Sequence, residues 1–142
     1  MNITFSVRFP VAARSVPAVR ELLRQALAVF RVSPAKVDEI VLALSEACAN
    51  VLQHAGEHEE YVVDVDLDDQ VCRISVVDHG EGFDIVEASA EPLRDPLDSG
   101  RGLVLMRALV DRLDFVQDAD GRHRVTLEKR LVPLPPLRLL PT

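Results

Sequence analysis

The chain is 142 residues long, 48% apolar, with a formal net charge of −7 and no tryptophan. That size suits one domain around one core that needs no disulfide. The acidic balance argues against duplex nucleic acid or an anionic membrane as a partner, because phosphate binding calls for a basic surface.

Cys48 and Cys72 lack CxxC spacing and both fall in apolar patterns, so they read as two buried thiols in a reduced cytosol. The start, Met1 to Phe5, has no basic region and no long apolar run, and no segment reaches the ~18 apolar residues of a membrane span. A cytoplasmic location is expected. The lysines, Lys36 and Lys129, do not follow glycines, which excludes a P-loop.

Ile3, Phe5, Val7 and Phe9 alternate with polar residues as a half-buried strand does, and Pro10 ends it. Ser15 to Phe30 has helical spacing, with Ser15 as the expected N-cap. A second helix is expected from Ser33 as cap and Pro34 at the first position to a stop at Gly56. Its apolar stripe is Val37, Ile40, Val41, Leu44, Cys48, Val51, Leu52 and Ala55. Glu39, Glu46, Asn50 and Gln53 fall on the other side, where Ala43 and Ala47 are expected to leave room for a ligand.

Tyr61, Val63, Val65 and Leu67 alternate as a strand. Val71 to Asp78 is a second strand, nearly continuous in apolar residues at its end and therefore expected at the centre of the sheet. The periodicity vanishes from Gly80 to Gly100, a length that points to a functional lid. Gly102 to Arg112 reads as helix, Leu113 to Gln117 as strand, Asp120-Gly121 as a hairpin turn and Arg122 to Arg130 as the return strand, with His123 on a solvated edge. The expected fold is an α/β two-layer sandwich: a mainly antiparallel mixed sheet with helices on one face. Residues 1–130 form the domain, and 131–142 a proline-rich extended tail.

Three clusters carry chemistry. Glu46 and Asn50 stand one turn apart on one helix face, with His54 a turn further on. Together they offer a proton acceptor and a neutral oxygen for a hard cation. Asp78 ends the central strand just before Gly80 and Gly82, so a carboxylate can accept from an amino group while backbone passes a flat ring. Ser99-Gly100-Arg101-Gly102 opens a helix, whose N-terminal N–H groups suit an anion, with Arg101 in reach of a terminal phosphate. Each cluster taken singly is ordinary: a solvated helix face, a glycine turn, a flexible helix start.

As a set, in this order, the motifs Glu46-x-x-x-Asn50-x-x-x-His54, Asp78-His79-Gly80-Glu81-Gly82 and Gly100-Arg101-Gly102-Leu103 resemble the Bergerat-type (GHKL) ATP-binding fold. Within it they resemble most the small bacterial anti-sigma-factor serine kinases, over about Ile3 to Arg130. The resemblance implies Asn50 as the Mg²⁺ ligand, Glu46 as general base toward a serine hydroxyl, and Asp78 as acceptor of the adenine amino group. It implies Gly80 and Gly82 beside the base, Gly100 and Gly102 as lid hinge and phosphate-facing turn, and His54 as a basic phosphate contact. His79 departs from the pattern, since many members of the superfamily carry Asn there.

What is implied is a Mg²⁺-ATP-dependent serine kinase and anti-sigma factor. It would sequester a sigma factor and phosphorylate a STAS-type anti-anti-sigma antagonist by partner switching, in a family that commonly works as homodimers. Its acidic lid would leave phosphate neutralisation to Mg²⁺ and Arg101. The alternative is an ATP-binding regulatory module that binds partners without phosphotransfer, with a detached histidine-kinase-type catalytic domain as a further rival. His54 and His58, four residues apart with Gly56 between them, are not expected to bind a metal, and Met106 reads as core.

Overall fold

A computed structural model describes residues 1–55, 59–78, 99–117 and 121–131, the first three residues of the third helix by backbone alone. Gly56, His58, His79, Gly80, Gly82, the acidic stretch up to 98, Asp120 and the tail from 132 lie outside the described residues. The elements run β1 (Asn2–Pro10), α1 (Ser15–Val29), α2 (Pro34–His54), β2 (Glu60–Asp68), β3 (Val71–Asp78), α3 (Ser99–Leu109), β4 (Arg112–Gln117) and β5 (His123–Arg130). The strands form one sheet in the order β1-β2-β3-β5-β4, antiparallel at every pairing. β3 is the middle strand, as its apolar run predicts.

The register builds the core in rungs. Paired residues of antiparallel strands share a face. On the helix side, Phe5, Val65, Ile74, Leu127 and Leu113 make one rung, and Val7, Val63, Val76, Val125 and Phe115 the next. The solvent side is polar and tied across strands: Thr4 donates to Asp66 at 3.3 Å, Ser75 bonds Thr126 at 3.1 Å, and Arg73 reaches Glu128 at 3.3 Å. This division into an apolar and a polar face is what period-two alternation produces.

α1 and α2 cover the helix side. α1 buries Val19, Leu23, Ala26 and Leu27 at helical spacing. Ser15 is the first residue of that helix and not its cap: it is buried, donates to Ala12 O at 2.6 Å and bonds the Tyr61 hydroxyl at 2.5 Å. Tyr61 also bonds the Cys48 thiol, so one buried hydroxyl ties α1, α2 and β2 together. α1 ends in a Schellman motif, with Val32 N–H donating to Leu27 O and Arg31 N–H to Ala28 O. Arg31 takes the left-handed conformation there, at φ 56°.

α2 starts as expected, with Ser33 accepting from Lys36 N–H and Pro34 in the first turn. Its orientation is set by two ties to the end of β5. Glu39 pairs with Lys129 at 2.9 Å, and Lys36 donates to Leu131 O at 3.4 Å. α3 begins at Ser99 and stops at Leu109, earlier at both ends than its pattern predicts, because Arg112 already belongs to β4. Its Met106 is fully buried. No helix among the described residues is long and apolar enough to cross a membrane.

Burial pushes the thiols of Cys48 and Cys72 up from 9.0 to about 12. Their stabilising effect is complete below the ordinary thiol value and is lost as pH climbs through the raised one. Unfolding free energy from urea titrations is therefore expected to fall between pH 9 and about 12, and both thiols to resist alkylation until the protein unfolds. Arg31→Gly removes the left-handed penalty at the end of α1 and is expected to add about 0.5–1 kcal/mol to that free energy, net of the flexibility glycine brings to the unfolded chain.

Candidate functional site

The two ties at the start of α2 decide which groups meet. From Glu39 to Asn50 the helix rises about 16 Å. Along β5, from Lys129 back to His123, the strand covers about 20 Å. The later turns of α2 therefore lie over the end of the sandwich where β3 stops at Asp78 and β5 begins. Glu46, Asn50 and His54 follow one another along that half of the helix, His54 as its last residue.

Asn50 is buried, at 6% exposure, on a side that the helical pattern marks as polar. Gly102 of α3 explains it. A Cβ placed on Gly102 would lie 3.0 Å from Glu46 Oε2 and 3.7 Å from Asn50 Oδ1. The α3 backbone thus passes directly against both side chains. Ala43 and Ala47 share this helix face and are fully buried, so they do not leave room for a ligand as expected. Their small size instead lets α2 pack both against the sheet and close to α3.

The carboxamide of Asn50 is incompletely satisfied. Its Nδ2 has no hydrogen-bond partner among the described residues. A buried amide end left without a partner costs about 1–3 kcal/mol, a cost that persists where a ligand relieves it. By rotation a carboxamide can present either a donor or an acceptor in that direction. Either suits a phosphate accompanied by a divalent cation.

Among the described residues no group of three or more His, Cys, Asp or Glu could cage a metal. Asn50 carries a carboxamide oxygen, and Glu46 stands one turn before it on the same helix face. Gly100 and Arg101 lie in the first turn of α3, where backbone N–H groups have no acceptor inside the helix. Gly102 follows them within the helix and lies against Glu46 as a point of close approach.

Asp78 is buried at 5% exposure as the last residue of β3. It belongs to a rung that crosses all five strands: Phe9, Tyr61, Asp78, His123 and Gln117. His123 is thus not on an edge, since β5 lies between β3 and β4, and it is half-buried on the helix side. The pairing of β5 with β3 is not local, so nothing near His123 in the chain announces its neighbour. A hollow of about 320 Å³ lies elsewhere. It is an open trough on the solvent face beside Thr4, Ser6, Asp64, Asp66, Arg73 and Ser75, where Thr4 already bonds Asp66 and Arg73 reaches out to Glu128.

An open antiparallel sheet with helices on one side, and a polar end where helix, strand end and helix start meet, defines a known architecture. Residues 9–129 match the sequence profile of the histidine kinase-like ATPase domain. The chain belongs to that family. This ATPase domain is 28% identical over 101 residues to a protein named anti-sigma F factor from Clostridium acetobutylicum, covering 67% of this chain and 71% of that one. It is 29% identical over 93 residues to the serine-protein kinase RsbW of Halalkalibacterium halodurans, over 58% of this chain and 57% of the relative.

Among solved structures, the RsbU and RsbW domains of Rv1364c from Mycobacterium tuberculosis match with a TM-score of 0.68 at 25% identity, over 91% of this chain. The match spans 32% of that longer chain. The SiaB-SiaC complex of Pseudomonas aeruginosa matches at 0.61 and 15% identity, over 89% of each chain, a likeness of fold alone. The resemblance to anti-sigma-factor kinases read from the motifs is borne out.

Gly102→Ala separates packing from function at this face. The added methyl group meets the mobile end of Glu46 and not backbone, and alanine is the better helix former by about 1 kcal/mol. The melting temperature is expected to hold or rise, while nucleotide affinity in calorimetry falls several-fold as Glu46 and Asn50 are pushed aside.

Proposed function

We propose that this chain is a cytoplasmic Mg²⁺-ATP-dependent serine kinase that acts as a partner-switching anti-sigma factor. It phosphorylates a serine of a STAS-type anti-anti-sigma protein and sequesters a sigma factor. The observation that carries the reading is the close approach of Gly102 to Glu46 and to the incompletely satisfied, buried Asn50. Family membership supports the nucleotide, and relatives named anti-sigma F factor and serine-protein kinase RsbW support the switch.

The roles are those the family resemblance implies, and the chemistry of the residues supports them. Asn50 would hold Mg²⁺ through its carboxamide oxygen. The cation, when bound, screens the charge of the triphosphate. Glu46, partly exposed beside Asn50, accepts the proton of the incoming serine hydroxyl. The serine oxygen forms its bond to the γ-phosphorus as the bond to the β–γ bridging oxygen breaks, and ADP leaves. The first-turn N–H groups of α3 and Arg101 supply donors to the phosphates. Asp78 accepts from the adenine amino group, Gly80 and Gly82 pass the base, Gly100 and Gly102 let α3 approach, and His54 adds a basic contact. Such a site works by positioning and charge neutralisation, which is what phosphoryl transfer requires.

Asn50→Ala is expected to lower Mg²⁺-ATP affinity by at least a hundredfold in calorimetry. Glu46→Gln is expected to retain binding and lose transfer of label from ATP to the antagonist serine by a factor of about 10²–10⁴. Normal affinity in the Asn50 variant sinks the site. Tight ATP and partner binding with no label on serine, in the unaltered protein, establishes a binding module without phosphotransfer instead.

A further inference from the structure

We infer that His123 is a base-contacting residue of the nucleotide site, one that pairs with Asp78 to read two adjacent atoms of the purine edge. The inference rests on the ATP reading above and adds to it a residue that sets which base is accepted.

The argument begins from the rungs. On the helix side of the sheet, the two rungs through Val76 and Ile74 are apolar on all five strands. The rung above them begins the same way, with the rings of Phe9 and Tyr61 at 5.7 Å. It then changes character to Asp78, His123 and Gln117. The change falls under the later half of α2, at the end of the sandwich that holds Asn50. Asp78 is nine-tenths buried, His123 half-buried, and Gln117 exposed on the edge strand, so the row opens from the interior toward solvent.

Asp78 and His123 are direct cross-strand neighbours. Their Cβ atoms are therefore about 5 Å apart and their side chains run side by side. An ionised carboxylate only accepts, whereas a neutral imidazole donates through one of its nitrogens. The pair thus presents acceptor then donor along one line. Adenine presents the complement along its pairing edge, a 6-amino donor beside the N1 acceptor. Guanine presents the reverse, an oxygen acceptor beside an N1–H donor, and sets acceptor against acceptor at Asp78. A site that hydrogen-bonds its substrate rejects an analogue that leaves those groups unmatched far better than an apolar pocket can. Asp78 alone reads only the amino group; with His123 the site reads the ring nitrogen next to it.

The test compares ATP with 1-deaza-ATP, in which N1 is replaced by C–H, by calorimetry with Mg²⁺ on the full chain. His123→Ala is expected to weaken ATP about tenfold. The unaltered protein is expected to bind 1-deaza-ATP more weakly than ATP by the same factor, and His123→Ala to weaken 1-deaza-ATP no further. His123→Gln, whose amide still donates, guards against a folding defect: it is expected to recover part of the affinity for ATP and none for 1-deaza-ATP. Equal losses for both nucleotides in His123→Ala, or no loss for either, overturn the inference while leaving the ATP site standing. Failure of the unaltered protein to bind either nucleotide overturns the ATP reading itself.

Discussion

α2 is packed on two sides, and the site exists because of it. One side, through Ile40, Val41, Leu44, Cys48 and Val51, fills the core. The other carries Ala43, Glu46, Ala47 and Asn50 and lies under α3. A helix squeezed in this way must be thin on its second side, which two alanines ensure, and its neighbour must be thinner still, which Gly102 ensures. The outcome is that Asn50 sits between two backbones, where its rotamer is restricted before any ligand arrives. Restriction of that kind is how a site with few charged groups holds a multiply charged substrate in one orientation.

The same economy governs the sheet. Its helix side is apolar through the two middle rungs, and its solvent side is largely polar apart from Val62, Val77 and Val116. No lysine cradle is built into the chain, and its two lysines serve elsewhere: Lys129 and Lys36 fasten α2 to the end of β5. That fastening sits at the opposite end of the helix from Asn50, so it fixes the direction of α2 without entering the site. Structure and chemistry occupy opposite ends of one helix.

Much of this was legible in the chain. Alternation in Tyr61 to Leu67 picked out buried positions correctly, and the apolar run of β3 foretold its central place. The Ser33-Pro34 start of α2 followed from capping chemistry, and the spacing of Glu46, Asn50 and Asp78 led to the family. What escaped was decided by contacts distant in sequence. Ala43 and Ala47 looked like empty space because nothing local says that a second helix covers them. Ser15 looked like a cap because its bond to Tyr61 spans 46 residues. α3 begins at Ser99, ahead of the Gly102 start its periodicity predicts, and packing on α2 holds its glycines helical despite a poor intrinsic tendency. His123 looked solvated because its strand pairs with β3 across the whole of α3 and β4.

That last pairing has a consequence for how the molecule comes into being. β5 leaves the ribosome after every other strand of the sheet, yet it is inserted between two strands made before it. Until it arrives, β3 has an open margin, α2 has no Lys129 to anchor its first turns, and Asp78 has no neighbour on that side. A nascent chain halted before residue 123 thus holds most of the core and none of the completed end. Maturation is gated by translation itself: competence arrives only with the last few codons of the domain, and incomplete products expose an unpaired margin that quality control can recognise.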